Sequence, residues 1–282
     1  MKRTMPIFSF IGGNIMKLGI DFGGSHIGIG IVENGTIIRK KDINIQVKNI
    51  SEVLEKYIPI LIDELKIVWN DIDLIGLGIP GDVKNGVSYN LVNLGENEIN
   101  IKEEIRKVIP QSKNIKLICR NDGKCAGLAE KQYGSLKNYK DAIFLCLGTG
   151  IGSAVFMNNK LLIPKRHTGF ELGHIIIEKN GISCNCGSKG CLERYASMKC
   201  FKDEVKRCLN TQLDGKELLN IVLKNENRVE KIIDSYIDNL SIGISNIINI
   251  FEPEAISIGG SFKYYKDILY NRLLHKMYKK EY

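Results

Sequence analysis

The chain has 282 residues, 44% of them apolar, and 40 basic against 32 acidic side chains give it a formal charge of +8. That length and apolar content predict a sizeable core divided between two domains, and no run approaches the ~18 consecutive apolar residues of a bilayer-spanning helix. The basic residues are mostly lysines spread among the acids, apart from a cluster at His275-Lys276 and Lys279-Lys280, which suits a solvated surface with a small anionic ligand better than a nucleic-acid track.

The first segment has a basic start and a short, interrupted apolar patch with no small-residue cleavage site after it, so it does not read as a signal peptide. Met16 stands immediately before the first clear strand and is the expected natural start, with residues 1–15 an upstream extension. Residues 17–22 are a strand by their apolar and β-branched content, broken by Gly23-Gly24-Ser25. Residues 27–32 form a second strand, Glu33-Asn34-Gly35 a hairpin turn and residues 36–39 a third strand. The same order returns later: strand 142–147, the turn Gly148-Thr149-Gly150-Ile151-Gly152, strand 153–157, the turn Asn158-Asn159, strand 160–163. The repetition predicts two similar domains whose glycine-rich first turns face one cleft. Such turns leave backbone N–H groups free to meet an anion, and Asp21 adds a carboxylate able to hold a metal on a phosphate. Either turn alone reads better as an ordinary hairpin; two in register, one carrying an Asp, favour phosphate binding.

Other short matches fail. Asp21-Phe22-Gly23 spells a protein-kinase tripeptide without the accompanying catalytic loop, and the glycines of residues 76–81 fit a dinucleotide fingerprint in which Pro80 removes a donor and no helical pattern follows.

Residues 51–69 predict an amphipathic helix interrupted at Pro59, residues 74–79 a buried strand, and residues 90–100 a polar loop containing Asn93-Leu94-Gly95. A short helix over 101–109 and a strand over 115–119 lead to Arg120-Asn121-Asp122-Gly123. One of Asn121 and Asp122 is expected to cap the helix over 124–133; the other is left for chemistry, and an Asp at a helix mouth after a buried strand suits a catalytic base.

Residues 171–193 are the most specific stretch. His174, Cys184, Cys186 and Cys191 supply the number and type of ligands that fill a tetrahedral zinc site, and Gly187 and Gly190 let the backbone turn tightly enough to aim them at one point. The metal would hold the neighbouring Glu171 and Glu193 in fixed positions, making a polar pocket beside it. Cys119, Cys125, Cys146, Cys200 and Cys208 have no paired spacing and read as reduced thiols of a cytoplasmic protein. Helices over 197–209, 213–223 and a long run over 229–251 ending at Pro253 follow. Then come a strand over 255–258, a third glycine turn at Gly259-Gly260-Ser261 and a helix over 263–276.

In this order the pieces resemble the ROK family, in its sugar-kinase branch, from Met16 to about Tyr278. DFGGSH is similar to the family's first phosphate motif, GIPGDV and NLGENEI to its sugar-domain loops, RNDGKCAGLAE to its catalytic Asn-Asp and GTGIG to its second phosphate motif. ELGH with CNCGSKGCLE is similar to its zinc and sugar signature, and SIGGSF to its adenosine turn. The resemblance implies an α/β fold of two actin-like (ribonuclease H-like) ATPase domains flanking a cleft, with a zinc-bearing loop. The expected division is a small domain over 16–118 and a larger one over 119–282.

The implied reaction is phosphoryl transfer from ATP and magnesium to a hydroxyl of a hexose or N-acetylhexosamine, the 6-hydroxyl of glucose being the default. Asp122 would be the base; Asn93, Asn121, Asp122, Glu171, His174 and Glu193 would bind the sugar. Asp21, Gly23, Gly24, Ser25, Gly148, Thr149 and Gly150 would address phosphates and magnesium, and Gly259 and Gly260 the nucleoside. A homodimer is implied. The chain departs from the family pattern at Ser25-His26, Glu96, Pro164, His167 and Phe170, and it stops at Tyr282 without the family's last Gly-Ala-rich helices. The family's repressors carry a DNA-binding segment ahead of the first phosphate motif, where this chain has fewer than twenty residues, so nucleic acid is not an expected partner. A sugar-binding regulator with impaired catalysis is the alternative.

Overall fold

The computed structural model describes residues 16–23, 26–45, 49–91, 96–165, 169–224 and 226–278; Gly24, Ser25, Asn93, His167 and the expected extension 1–15 lie outside the described residues. β1 (Met16–Phe22), β2 (His26–Glu33) and β3 (Thr36–Asn44) form consecutive antiparallel pairs. α1 (Ile50–Leu65) begins where Asn49 accepts the Glu52 amide at 3.0 Å. The interruption expected at Pro59 does not occur. Pro59 lies on the exposed face of α1, where the carbonyl left without an amide can be solvated, and the helix continues to Leu65.

β4 (Ile72–Ile79) lies parallel to β1 on the side away from β2. The stretch expected to be a polar loop is instead mostly paired. β5 (Asp82–Lys84), β6 (Val87–Leu91) and β7 (Glu96–Asn100) make a separate antiparallel sheet, whose short, polar strands lack the apolar alternation that marks a strand against a core. After α2 (Ile101–Val108), β8 (Lys116–Asn121) joins β4 in parallel and gives the sheet order β3-β2-β1-β4-β8, and α3 (Asp122–Tyr133) leaves its end.

The same plan recurs in β9 (Ala142–Leu147), β10 (Ile151–Met157) and β11 (Lys160–Leu161), again antiparallel in succession. Beyond the loop that follows come α4 (Glu193–Ala196), α5 (Met198–Leu209), α6 (Gly215–Lys224) and α7 (Glu226–Phe251). β12 (Ala255–Gly260) then pairs in parallel with β9, giving the order β11-β10-β9-β12, and α8 (Lys266–Tyr278) follows a single 3-10 turn.

Two compact units result. One holds the described residues up to Asn138 with those of Ile163–Gly169, the other Tyr139–Leu162 with those from Phe170 onward. The division expected between residues 118 and 119 would cut through β8, the fifth strand of the first sheet. Each unit has its own core: Leu18, Ile20, Ile27, Ile75 and Leu77 with α1 in the first, Ile143, Leu145 and Val155 with α5, α7 and α8 in the second. Among the described residues no helix is long and apolar enough to cross a membrane.

Candidate active site

In the first unit Asp21 pairs in register with Gly78, and Gly78 with Arg120, so the C-terminal ends of the parallel strands β1, β4 and β8 lie side by side. A methyl group placed on Gly78 would be 3.7 Å from Asp21 Oδ1 and 3.7 Å from the Asp122 Cα, so the two acidic residues flank one backbone position. This edge is where open α/β sheets bind ligands. The cap is Asn121: its Oδ1 accepts the Lys124 amide at 3.0 Å and its Nδ2 donates to the Gly81 carbonyl at 3.0 Å. Asp122 occupies the first helical position instead, with Oδ1 accepting the Gly123 amide at 2.8 Å. The local field is negative: burial first, then the charges of Asp122 and Asp21, push the Cys125 thiol far up, and burial pushes Cys119 up to about 11. Neither thiol is a nucleophile there.

The first glycine turn is closed by its own residues. The Gly23 amide donates to the His26 carbonyl at 2.9 Å, and the His26 ring lies so close that a methyl on Gly23 would fall 2.5 Å from it. His26 Nε2 is 3.3 Å from Asp21 Oδ2, with the two side chains 34% and 45% exposed. The sequence marks His26 only as a departure from the family pattern; nothing in it signals the contact with Asp21.

In the second unit the turn after β9 closes through a Gly148 amide donating to the Gly150 carbonyl at 2.9 Å. The next amide, that of Ile151, donates to Glu193 Oε2 at 2.8 Å. Among the described residues this leaves the amides of Thr149 and Gly150 to meet an anion, and a methyl on Gly148 would touch nothing within 4 Å. Gly259 and Gly260 end β12 opposite Cys146 and Leu147, which puts the third glycine turn on the same sheet edge.

The loop leading to α4 is held by a mesh of backbone bonds. Ile177 donates to Gly190 at 2.9 Å, Gly190 to Ile182 at 2.9 Å, Cys184 to Ser188 at 2.8 Å and Leu192 to Ile175 at 2.9 Å. Gly190 is required: its φ is +76°, and a methyl there would collide with the Glu178 carbonyl. Ser153 on β10 anchors the start of the loop, donating to the Phe170 carbonyl at 2.8 Å and accepting the Leu172 amide at 3.1 Å. Sequence reasoning gave Ser153 no role, since a serine inside an apolar strand carries no motif.

A ring nitrogen of His174 and the sulfurs of Cys184, Cys186 and Cys191 all lie within 4.8 Å of one another. Cys186 and Cys191 are 3.6 Å apart, as are Cys184 Sγ and His174 Nδ1. A tetrahedral zinc ion would place sulfurs about 3.8 Å apart and sulfur and nitrogen about 3.5 Å apart. The four side chains therefore fit such an ion in number, type and spacing. Burial pushes Cys184 up and Cys191 up to about 12; at Cys186 hydrogen bonds from the Ser188 backbone, Cys184 and Cys191 outweigh burial and lower the thiol.

The ROK family model matches residues 17–281. Glucokinase from Thermotoga maritima is 30% identical over 278 residues, covering 92% of this chain and 86% of that protein. The chain belongs to the ROK family. Xylose repressor from Bacillus subtilis is 29% identical over 254 residues, which span 87% of this ROK chain and 64% of the repressor. Among solved structures, a ROK family glucokinase from Streptomyces griseus in complex with glucose and AMPPNP superposes with a TM-score of 0.80 at 21% identity, covering 94% of this chain and 89% of that one. The two units are the paired actin-like ATPase domains of the family, each opening with an antiparallel hairpin and adding its parallel strand beside the first strand. Of the expected site residues, the structure brings Asp21, Asn121 and Asp122 together on one sheet edge. It likewise gathers Gly148, Thr149, Gly150 and Glu193, and separately His174, Cys184, Cys186 and Cys191.

Proposed function

We propose that the chain is an ATP-dependent sugar kinase acting on a hydroxyl of a hexose or N-acetylhexosamine, with the 6-hydroxyl of glucose as the default acceptor. The observation that carries the reading is the convergence of Asp21 and Asp122 on either side of Gly78 at the C-terminal strand edge of a ROK chain. Magnesium-bound ATP supplies the phosphoryl group and part of its charge neutralisation. Asp122 accepts the proton of the acceptor hydroxyl, and Asn121, fixed by its cap and by Gly81, holds the loop that presents it. Asp21 is the carboxylate for the magnesium side, while the amides of Thr149 and Gly150 meet phosphate oxygens and Gly259 and Gly260 leave space for the nucleoside. Asn93, Glu171, His174 and Glu193 bind sugar hydroxyls. The ion in the His174 cluster is zinc, and its role is structural: it fixes the loop that carries Glu171 and Glu193 and activates no water. The free cysteines suit a reducing cytoplasm, and the family resemblance favours a homodimer.

The test is ADP release by purified, zinc-loaded protein with magnesium ATP and a panel of hexoses and N-acetylhexosamines, with Asp122→Asn alongside. Turnover on one sugar, lost in the variant, identifies the acceptor. Silence across the panel with sugar still bound in calorimetry replaces the kinase with a sugar-binding regulator, the class of relative that the xylose repressor represents.

A further inference from the structure

Glu193 sits at the start of α4, two residues after Cys191, yet its carboxylate reaches 42 positions back to accept the Ile151 amide at 2.8 Å. The approach is close enough that a methyl on Gly150 would lie well inside 3.0 Å of Oε2, whereas Oε1 is 3.7 Å from the same point. One oxygen is therefore engaged with the glycine turn and the other is held away from it. The backbone on either side is fixed as well. The amide of Lys199, the second residue of α5, donates to the Gly148 carbonyl at 3.1 Å, and the buried Leu192 fills the space against Gly243 of α7.

We propose that Glu193 is a positioning residue that latches the second phosphate turn to the sugar-binding loop, so that each sets the geometry of the other. The identity of the two ligands rests on the sugar-kinase reading; the latch itself does not. A carboxylate whose Oε2 is fixed by Ile151 presents Oε1 in one orientation, and a sugar hydroxyl donating to Oε1 meets a preorganised acceptor. In the other direction, the carboxylate holds the turn from which the amides of Thr149 and Gly150 face a phosphate. Because the turn and the carboxylate share the Ile151 hydrogen bond, a change made in the turn is felt by the sugar even with no nucleotide present.

A substitution in the turn and one beside it make the experiment. In Gly150→Ala the new methyl displaces only the far end of a flexible side chain, so the carboxylate moves; in Lys199→Ala the backbone amide that meets Gly148 is kept and only an exposed side chain paired with Asp203 is lost. Zinc-loaded full-length protein is titrated by calorimetry with glucose and with N-acetylmannosamine, without nucleotide. The expected result is a loss of sugar affinity of roughly fivefold or more in Gly150→Ala, with Lys199→Ala within about twofold of the parent. Equal affinity in Gly150→Ala and the parent, or an equal loss in both variants, overturns the proposal.

If the parent binds neither sugar, the sugar-kinase reading loses its support, and the latch is judged by hydrogen exchange at the Ile151 amide. That measurement also decides if Gly150→Ala does not fold. Glu193→Ala should lose the protection that Glu193→Gln, which keeps an acceptor oxygen, retains; identical protection in parent and both variants sinks the latch.

Discussion

The two glycine turns open the same sequence of strands but are filled from different distances along the chain. In the first, the turn closes on itself: the Gly23 amide meets His26, and the His26 ring covers Gly23 and reaches Asp21 five residues back. In the second, the occupant is Glu193, 42 residues downstream of Ile151, at the end of a loop that gathers His174, Cys184, Cys186 and Cys191. The same backbone device is thus completed by local packing in one unit and by remote packing in the other. On the proposed reading the proton step rests on Asp122 of the first unit, and the ordered loop of the second orients most of the sugar ligands.

The sharpest test of that division is Asp122→Asn. Loss of a positioned base lowers kcat by typically ~10²–10⁴-fold. If the first unit carries the proton step alone, the KM for sugar stays close to the parent value in a steady-state assay, and a parallel loss of sugar affinity would break the comparison.

Cys186→Ser is expected next in size. It removes a thiolate from the cluster, so metal analysis should show zinc lost, and calorimetry should show sugar affinity reduced by roughly tenfold or more, the scale at which even outer partners of metal ligands act. An active, zinc-free variant would sink the structural role of the metal. Zinc binding must expel protons from the thiols, two of which burial holds above their ordinary value, Cys184 and Cys191, the latter up to about 12. Metal affinity therefore falls as the pH falls, and chelator should strip the protein faster in acid than in mildly alkaline buffer.

Ser153→Ala leaves the buried Leu172 amide without its acceptor and the Phe170 carbonyl without its donor. A loss of ~1–3 kcal/mol in denaturant unfolding is expected, with sugar binding weakened and no change in zinc content. The smallest effect should come from His26→Ala. Its contact with Asp21 is between partly exposed groups and is worth at most ~1 kcal/mol. The KM for magnesium ATP should then move by less than about fivefold, and a larger shift would show that the imidazole itself meets the nucleotide.

Much of this was legible in the residues. The strand, glycine-turn, strand grammar was readable twice because β-branched runs and Asn-Gly or Asn-Asn turns are local signals, and both hairpins form. The gathering of His174, Cys184, Cys186 and Cys191 was readable because thiols in a polar, glycine-rich loop have no role in a core. Pro59 misled because a proline's cost depends on which face of the helix it occupies, and the paired strands of residues 82–100 were missed because a small, polar sheet lacks alternation.

What the sequence determined by itself was the repeated architecture, the family and the four side chains that could hold a metal ion, all encoded in spacing along the chain. Only the tertiary structure decided which of Asn121 and Asp122 caps α3, that Asp21 and Asp122 flank Gly78, and that Glu193 reaches Ile151. Those relations join residues on different strands and loops, and strand register and loop packing, which no local pattern specifies, set them.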